Sequence, residues 1–173
     1  TCIHTRPNCD CPPLVIHGPI HGGVCHLPGF NSQHRSGLLA PSALLPAGEK
    51  VEIEVAEPLE ALYVQLTIDW LKRFGVTVEG SPDYKHYTVE GGQKLKACEC
   101  LVASDWSSVA FPLVAAACTS SELTITDLDF EDSQGDKAVV DILIRMGADI
   151  EKDVAGHKMT IRGGKPLHGI DID

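Results

Sequence analysis

The chain has 173 residues, with 14 Lys and Arg against 24 Asp and Glu and a formal net charge of −10. At 43% hydrophobic and 22% charged residues, it is expected to fold as one domain or two small ones, and wholesale disorder is excluded. The acidic balance excludes a general nucleic-acid or anionic-membrane surface, which clustered Lys and Arg would have to hold; a small anionic ligand needs only a few local donors.

The first 26 residues hold Cys2, His4, Cys9, Cys11, His17, His21, Cys25 and His26. Zinc takes four such ligands, but structural sites present two short-spaced pairs on tight knuckles. Here one residue separates Cys9 from Cys11, and Cys25 adjoins His26. Neighbours on an extended strand point to opposite faces. Cys98-Glu99-Cys100 repeats the poor spacing, so neither metal nor cofactor is expected. The cysteines number seven, an odd count, and Thr1-Cys2-Ile3-His4-Thr5-Arg6 lacks an apolar signal core. Reduced thiols and a cytoplasmic location are therefore expected. The chain does not begin with Met, which suggests a trimmed or excised piece. The uncharged stretch over residues 106–121 is broken by Pro112 and falls short of the ~20 apolar residues of a membrane span.

Residues 13–17 read as the last strand of an earlier, mostly absent unit. A short β-type run follows at 23–27, then a small, apolar, helical stretch at 32–45. Val51-Glu52-Ile53-Glu54-Val55 alternates strictly and predicts a strand with one solvated face. Tyr63, Leu66, Trp70 and Phe74 recur every three or four positions and predict one helical stripe, stopped by Gly75. Residues 76–78 and 86–89 predict two strands, turned by Gly80-Ser81-Pro82-Asp83. A second series follows: a strand at Leu101-Val102, a helix over 107–118 and a strand over 123–126. A helix capped by Asp136 comes next, with Val139, Leu143 and Met146 inward, then strands at Ile150 and 159–161. Pro41 and Pro112 lie inside the opening helices, which are nearly uncharged; both helices are expected to be buried. Trp70 and Trp106 are expected in the core.

The two series are copies. Leu71-Lys72-Arg73-Phe74-Gly75-Val76 aligns with Leu143-Ile144-Arg145-Met146-Gly147-Ala148, and Tyr87-Thr88-Val89-Glu90-Gly91-Gly92 with Met159-Thr160-Ile161-Arg162-Gly163-Gly164, both at an offset of 72. Leu95 and Leu167, and Ile53 and Ile125, keep that register. A gapless offset over such a span marks each copy as one supersecondary unit. The expected class is α/β (α+β), built of repeated β-α-β-α-β-β units.

That repeat, together with Gly29-Phe30-Asn31-Ser32-Gln33 opening a helix, resembles the 5-enolpyruvylshikimate-3-phosphate synthases. So do Pro12-Pro13-Leu14 before Gly22-Gly23, Tyr63-Val64-Gln65-Leu66-Thr67 before Phe74-Gly75, and Ser104-Asp105-Trp106-Ser107-Ser108 before an apolar helix. Gly135-Asp136 before Arg145-Met146-Gly147-Ala148, and the closing Gly169-Ile170-Asp171-Ile172-Asp173, complete the match. The resemblance implies an internal piece of a two-domain transferase. Residues 1–19 would end one unit, 20–94 would close the first domain and 95–173 would open the second. It further implies transfer of the enolpyruvyl group of phosphoenolpyruvate to the 5-hydroxyl of shikimate 3-phosphate. Those two small molecules are the expected partners, with the remainder of the enzyme or a second copy beside them.

Carried over residue by residue, the family's Ser-Ser-Gln stretch falls on Asn31, Ser32 and Gln33, which the resemblance places on shikimate 3-phosphate, and its tyrosine falls on Tyr63. A plain helix cap by Asn31 or Ser32 is the competing reading. The family's Ser-(Lys/Arg)-Pro-Tyr segment is replaced by Leu59-Glu60-Ala61-Leu62-Tyr63, which lacks the serine. Arg35 and Asp105 are further candidates, read first as a solvated or salt-bridged arginine and as a helix cap. No catalytic residue is expected within the chain, because the family's catalytic aspartate and its phosphoenolpyruvate-gripping cations fall in other segments. The isolated chain is therefore expected to be catalytically incompetent. A fragment of the sister transferase that acts on a UDP-sugar, and a non-catalytic module of the same fold, are the alternatives.

Overall fold

The computed structural model describes residues 2–4 as backbone and residues 13–172 in full. Cys9, Cys11 and the side chains of Cys2 and His4 lie outside the described residues. The chain divides into two compact units, Thr1–Cys98 and Glu99–Asp173. Among the described residues no helix is long and apolar enough to cross a membrane.

In the first unit, β1 (Cys2–His4) pairs antiparallel with β2 (Val15–His17). Then follow β3 (Gly23–Leu27), α1 (Ser32–Ser42), β4 (Lys50–Val55), α2 (Ala61–Arg73), β5 (Glu79–Gly80) and β6 (His86–Glu90). The last four strands make one sheet in the order β3-β4-β6-β5. β3 and β4 run parallel, which requires a crossover between them, and α1 supplies it. The strict alternation of β4 works as read: Val51, Ile53 and Val55 are buried while Glu52 and Glu54 are half-exposed. Tyr87 and Val89 of β6 join them, with Leu39, Ala43, Leu45, Val64, Leu71 and Val76 closing the core.

The second unit comprises α3 (Trp106–Ala117), β7 (Glu122–Ile125), a 3-10 turn (Gly135–Lys137) leading into α4 (Ala138–Arg145), β8 (Asp149–Asp153) and β9 (Lys158–Arg162). Its sheet runs β7-β9-β8, antiparallel throughout. Trp106, Val109, Leu113, Ala116, Ala117, Leu128, Val140, Leu143, Met159 and Ile161 form its core.

The duplication is visible bond by bond. After α2, the N–H groups of Phe74, Gly75 and Val76 donate to the carbonyls of Trp70, Lys72 and Leu71. After α4, those of Met146, Gly147 and Ala148 donate to Ile142, Ile144 and Leu143, each 72 positions on. Lys96 then donates to the Phe74 carbonyl at 2.8 Å, as His168 donates to Met146 at 3.0 Å.

Five expectations are corrected. The inward face of α2 carries Val64 and Leu71, with Ile68 packed against the same core; Tyr63, Leu66, Trp70 and Phe74 are half-buried. Both stripes have helical period, and the sheet covers the other one. Trp70 instead meets Phe74, ring centroids 6.3 Å apart, with the Arg73 guanidinium 4.8 Å from its own ring centre. Residues 76–78 form no ladder: the Gln93 amide accepts from the Thr77 N–H at 2.7 Å and donates to its carbonyl at 3.0 Å, standing in for a strand. Leu101 and Val102 are irregular and exposed, since two apolar residues without a paired neighbour hold no strand. Asp136 lies inside the 3-10 turn, not at the cap of α4. Finally, each opening helix buries only one face, because one sheet lies under it: Phe111 is 80% exposed, and Pro41 and Pro112 face solvent.

Candidate functional site

Gly29 turns the chain from β3 into α1. Its φ is 90°, and a Cβ there would overlap the Glu57 carbonyl and the Val55 side chain, so only glycine fits. Asn31 then takes the extended conformation of an N-cap (φ −136°, ψ 128°), and its side chain accepts the Gln33 N–H at 2.7 Å. The cap expected of this segment is present. The Gln33 side chain is exposed, whereas Ser32 is buried.

The Ser32 N–H, which a ligand phosphate would be expected to engage, is already held. It donates to the Glu60 carboxylate at 2.9 Å. Glu60 sits just before α2 in the left-handed region, φ 54°. The Ser32 backbone N–H, then its hydroxyl, hold the Glu60 carboxyl below the ordinary carboxylate value, with the Arg35 charge adding a smaller push. Sequence reasoning missed Glu60 as a partner of this site. The signal was the altered 59–63 segment, which it registered only as a lost serine.

Tyr63 occupies the first turn of α2, half-buried, and its N–H donates to the Glu60 carbonyl at 3.2 Å. The Thr67 hydroxyl donates to the Tyr63 carbonyl at 3.2 Å and pairs with the Ser36 hydroxyl at 2.8 Å. That contact ties α2 to α1, so Asn31, Ser32, Gln33 and Tyr63 belong to one region of the first unit.

Arg35 is neither solvated nor salt-bridged. It is 0% exposed and shares the inner face of α1 with Leu39, one turn further on. Its Nη2 donates to the Leu59 carbonyl, while Nε and Nη1 have no hydrogen-bond partner. The expectation is corrected because its position on the core stripe draws the aliphatic stem inward.

Asp105 belongs to the second unit and is the N-cap of α3. It accepts from the Ser107 and Ser108 N–H groups at 3.3 and 3.1 Å and from their hydroxyls at 2.7 and 2.6 Å. The hydroxyls, Ser108 first, hold its carboxyl below the ordinary value. Beside it, Gln134 is nearly sealed from solvent and accepts the Trp106 N–H at 2.8 Å. Among the described residues no group of three His, Cys, Asp or Glu side chains converges as a metal site.

The comparisons with known proteins agree with this architecture. A family model described as EPSP synthase (3-phosphoshikimate 1-carboxyvinyltransferase) matches residues 1–173. The chain is 38% identical over 169 residues to the 3-phosphoshikimate 1-carboxyvinyltransferase of Ruminiclostridium cellulolyticum, covering 98% of this chain and 38% of that protein. It is 39% identical over 165 residues to that of Methanocorpusculum labreanum, covering 94% and 37%. It thus spans well under half the length of the curated relatives it matches. Among solved structures, EPSP synthase from Acinetobacter baumannii matches with a TM-score of 0.73 at 26% identity, over 99% of this chain and 38% of that one. The enolpyruvyl transferase NikO from Streptomyces tendae shares the fold at 18% identity, with a TM-score of 0.53 over 73% of this chain and 29% of that one. With a duplicated unit that is βαβαββ in its first copy and lacks the opening strand in its second, and with a full-length family match, the chain belongs to the EPSP synthase family.

Proposed function

We propose that this chain is part of a transferase that moves the enolpyruvyl group of phosphoenolpyruvate onto the 5-hydroxyl of shikimate 3-phosphate, and that it supplies part of the shikimate 3-phosphate site. The family match over residues 1–173 carries this reading. Asn31, Ser32, Gln33 and Tyr63 are the proposed contacts. First-turn N–H groups with short polar side chains suit a phosphate ester, since backbone donors and the helix dipole both favour negative charge. The better matches to 3-phosphoshikimate 1-carboxyvinyltransferases, against a fold-level likeness to NikO, favour the shikimate substrate over a UDP-sugar.

By itself the chain is proposed to bind without turnover. Enolpyruvyl transfer needs a proton delivered to the methylene carbon, one removed from the hydroxyl, and donors for the developing charge. Arg35, the cation next to Asn31–Gln33 in sequence, is sealed in the core. Amide spectra of the chain titrated with shikimate 3-phosphate test the reading. Shifts centred on residues 31–33 and 63 are expected, with no phosphate released from phosphoenolpyruvate. Shifts centred elsewhere would overturn the site, and ordinary turnover would overturn the division of labour. A non-catalytic module is the second reading, favoured by one observation: the Glu60 carboxylate already occupies Ser32. Complete absence of shifts supports it.

A further inference from the structure

The two units share one device with one difference. In the second unit, Asp105 caps α3, and a side chain 28 residues beyond Trp106 reaches back to take its N–H: the neutral amide oxygen of Gln134, at 2.8 Å. In the first unit, Asn31 caps α1, and a side chain 28 residues beyond Ser32 does the same: the carboxylate of Glu60, at 2.9 Å. Holding a helix start therefore needs an acceptor oxygen and no charge. The charge in the first unit lies on the very N–H and hydroxyl proposed to meet phosphate.

We propose that Glu60 is an internal competitor of the phosphate ligand: its carboxylate occupies the Ser32 donors, and shikimate 3-phosphate binds only as Glu60 gives them up. The inference rests on the proposed shikimate 3-phosphate site. Three observations carry it. The carboxylate engages Ser32 itself, not a neighbouring group. Its segment is clamped from beneath, because the buried Arg35 guanidinium donates to the Leu59 carbonyl next to it. Glu60 itself is exposed, so it has room to swing into solvent. A phosphate arriving while Glu60 stays would place two anions within a few ångströms, which is repulsive even when screened.

Glu60→Gln separates charge from geometry. Gln134 shows that a glutamine amide performs this capping in the same fold, so the variant is expected to keep the native spectrum. Shikimate 3-phosphate affinity of the 173-residue chain is measured by amide shifts at pH 7, at low and high salt, for the native chain, Glu60→Gln, and each combined with Gln33→Ala. The expected result is a roughly tenfold gain in affinity for Glu60→Gln at low salt, shrinking as salt rises. Gln33→Ala is expected to weaken binding in both backgrounds. Equal or weaker binding by Glu60→Gln, with Gln33→Ala still harmful, overturns the competitor and leaves the site standing. Indifference to Gln33→Ala in both backgrounds, or no binding by either chain, overturns the site and the competitor with it.

Discussion

Gln134 joins the start of α3 to the stretch in front of it: its Oε1 accepts the Trp106 N–H at 2.8 Å while its Nε2 donates to the Asp132 carboxylate at 2.6 Å. The side chain is almost fully buried, and Trp106 beneath it is sealed, its indole N–H donating to the Asp129 carbonyl at 3.0 Å. Removing the Gln134 amide leaves a buried donor unmade, which costs more than the bond itself is worth. Gln134→Ala is expected to destabilise the second unit by about 2 kcal/mol. The chain has two tryptophans, one in each unit, so a Trp70→Phe background lets Trp106 fluorescence report this unit alone in a urea titration. Loss of less than about half that amount would show the Trp106 N–H finding another acceptor.

Asp105 gives a pH-dependent prediction. Its carboxyl is held below the usual value by the Ser108 and Ser107 hydroxyls, and by their N–H groups. A group whose folded pKa is depressed binds fewer protons folded than unfolded, so its stabilisation is present above the unfolded value and lost as pH falls through the folded one. At pH 7 Asp105→Ala is expected to cost about 1 kcal/mol. That difference from the native chain should hold down to about pH 5 and shrink below about pH 4, where the unfolded carboxyl begins to protonate. Asp105→Asn should keep most of the cap and lose the acid dependence. Urea midpoints across pH 3–7 read both. A difference that grows toward acid would mean the hydroxyls do not hold the carboxylate.

The glycines after α2 and α4 occupy equivalent places, Gly75 at φ 80° and Gly147 at φ 100°. Alanine in that region costs about 1 kcal/mol or more. An added Cβ would also press on the Lys96 stem in the first unit, at 3.2 Å, and on the His168 ring in the second, at 3.2 Å. Gly75→Ala and Gly147→Ala should each destabilise their own unit. The cost should be larger at Gly147, because an imidazole ring yields less readily than a flexible lysine stem. Backbone amide exchange of β4 and β6 against that of β7 and β9 separates the two transitions. Equal losses in both transitions from either variant would show that the units do not unfold separately.

The strand at 51–55 and the duplication were legible because they rest on local pattern: alternation and a constant offset need no long-range knowledge. The face of α2 was not, because 63/66/70/74 and 64/68/71 both have helical spacing, and only the sheet decides between them. The absence of a ladder at 76–78 was hidden for a related reason: its partner is the single side chain of Gln93, sixteen residues away. The cap at Asn31 was readable from residue type. Glu60 and Gln134 were not, since each acts on a backbone N–H 28 residues distant. Arg35 was misjudged because a charged residue is ordinarily placed in water, and only the stripe it shares with Leu39 reveals otherwise.

Arg35 supplies the last prediction, because its burial is energetically odd. The guanidinium is 0% exposed, makes a bond from Nη2 to the Leu59 carbonyl, and leaves Nε and Nη1 without partners. Removing a cation from water costs several kcal/mol unless its donors are met, and one bond to a neutral carbonyl returns only about 1.5–3 kcal/mol. Methionine fills a similar straight channel without polar atoms. Arg35→Met is therefore expected to leave the first unit as stable as before or more stable by about 1 kcal/mol. Arg35→Ala should lose about 2 kcal/mol or more through the cavity it opens beside Leu39. Urea unfolding followed at Trp70 in a Trp106→Phe background would perturb the other core, so backbone amide exchange of β4 and β6 is the cleaner reading. Faster exchange in Arg35→Met than in the native chain would show that the buried charge holds the fold together, and that its unpaired N–H groups are answered in solution.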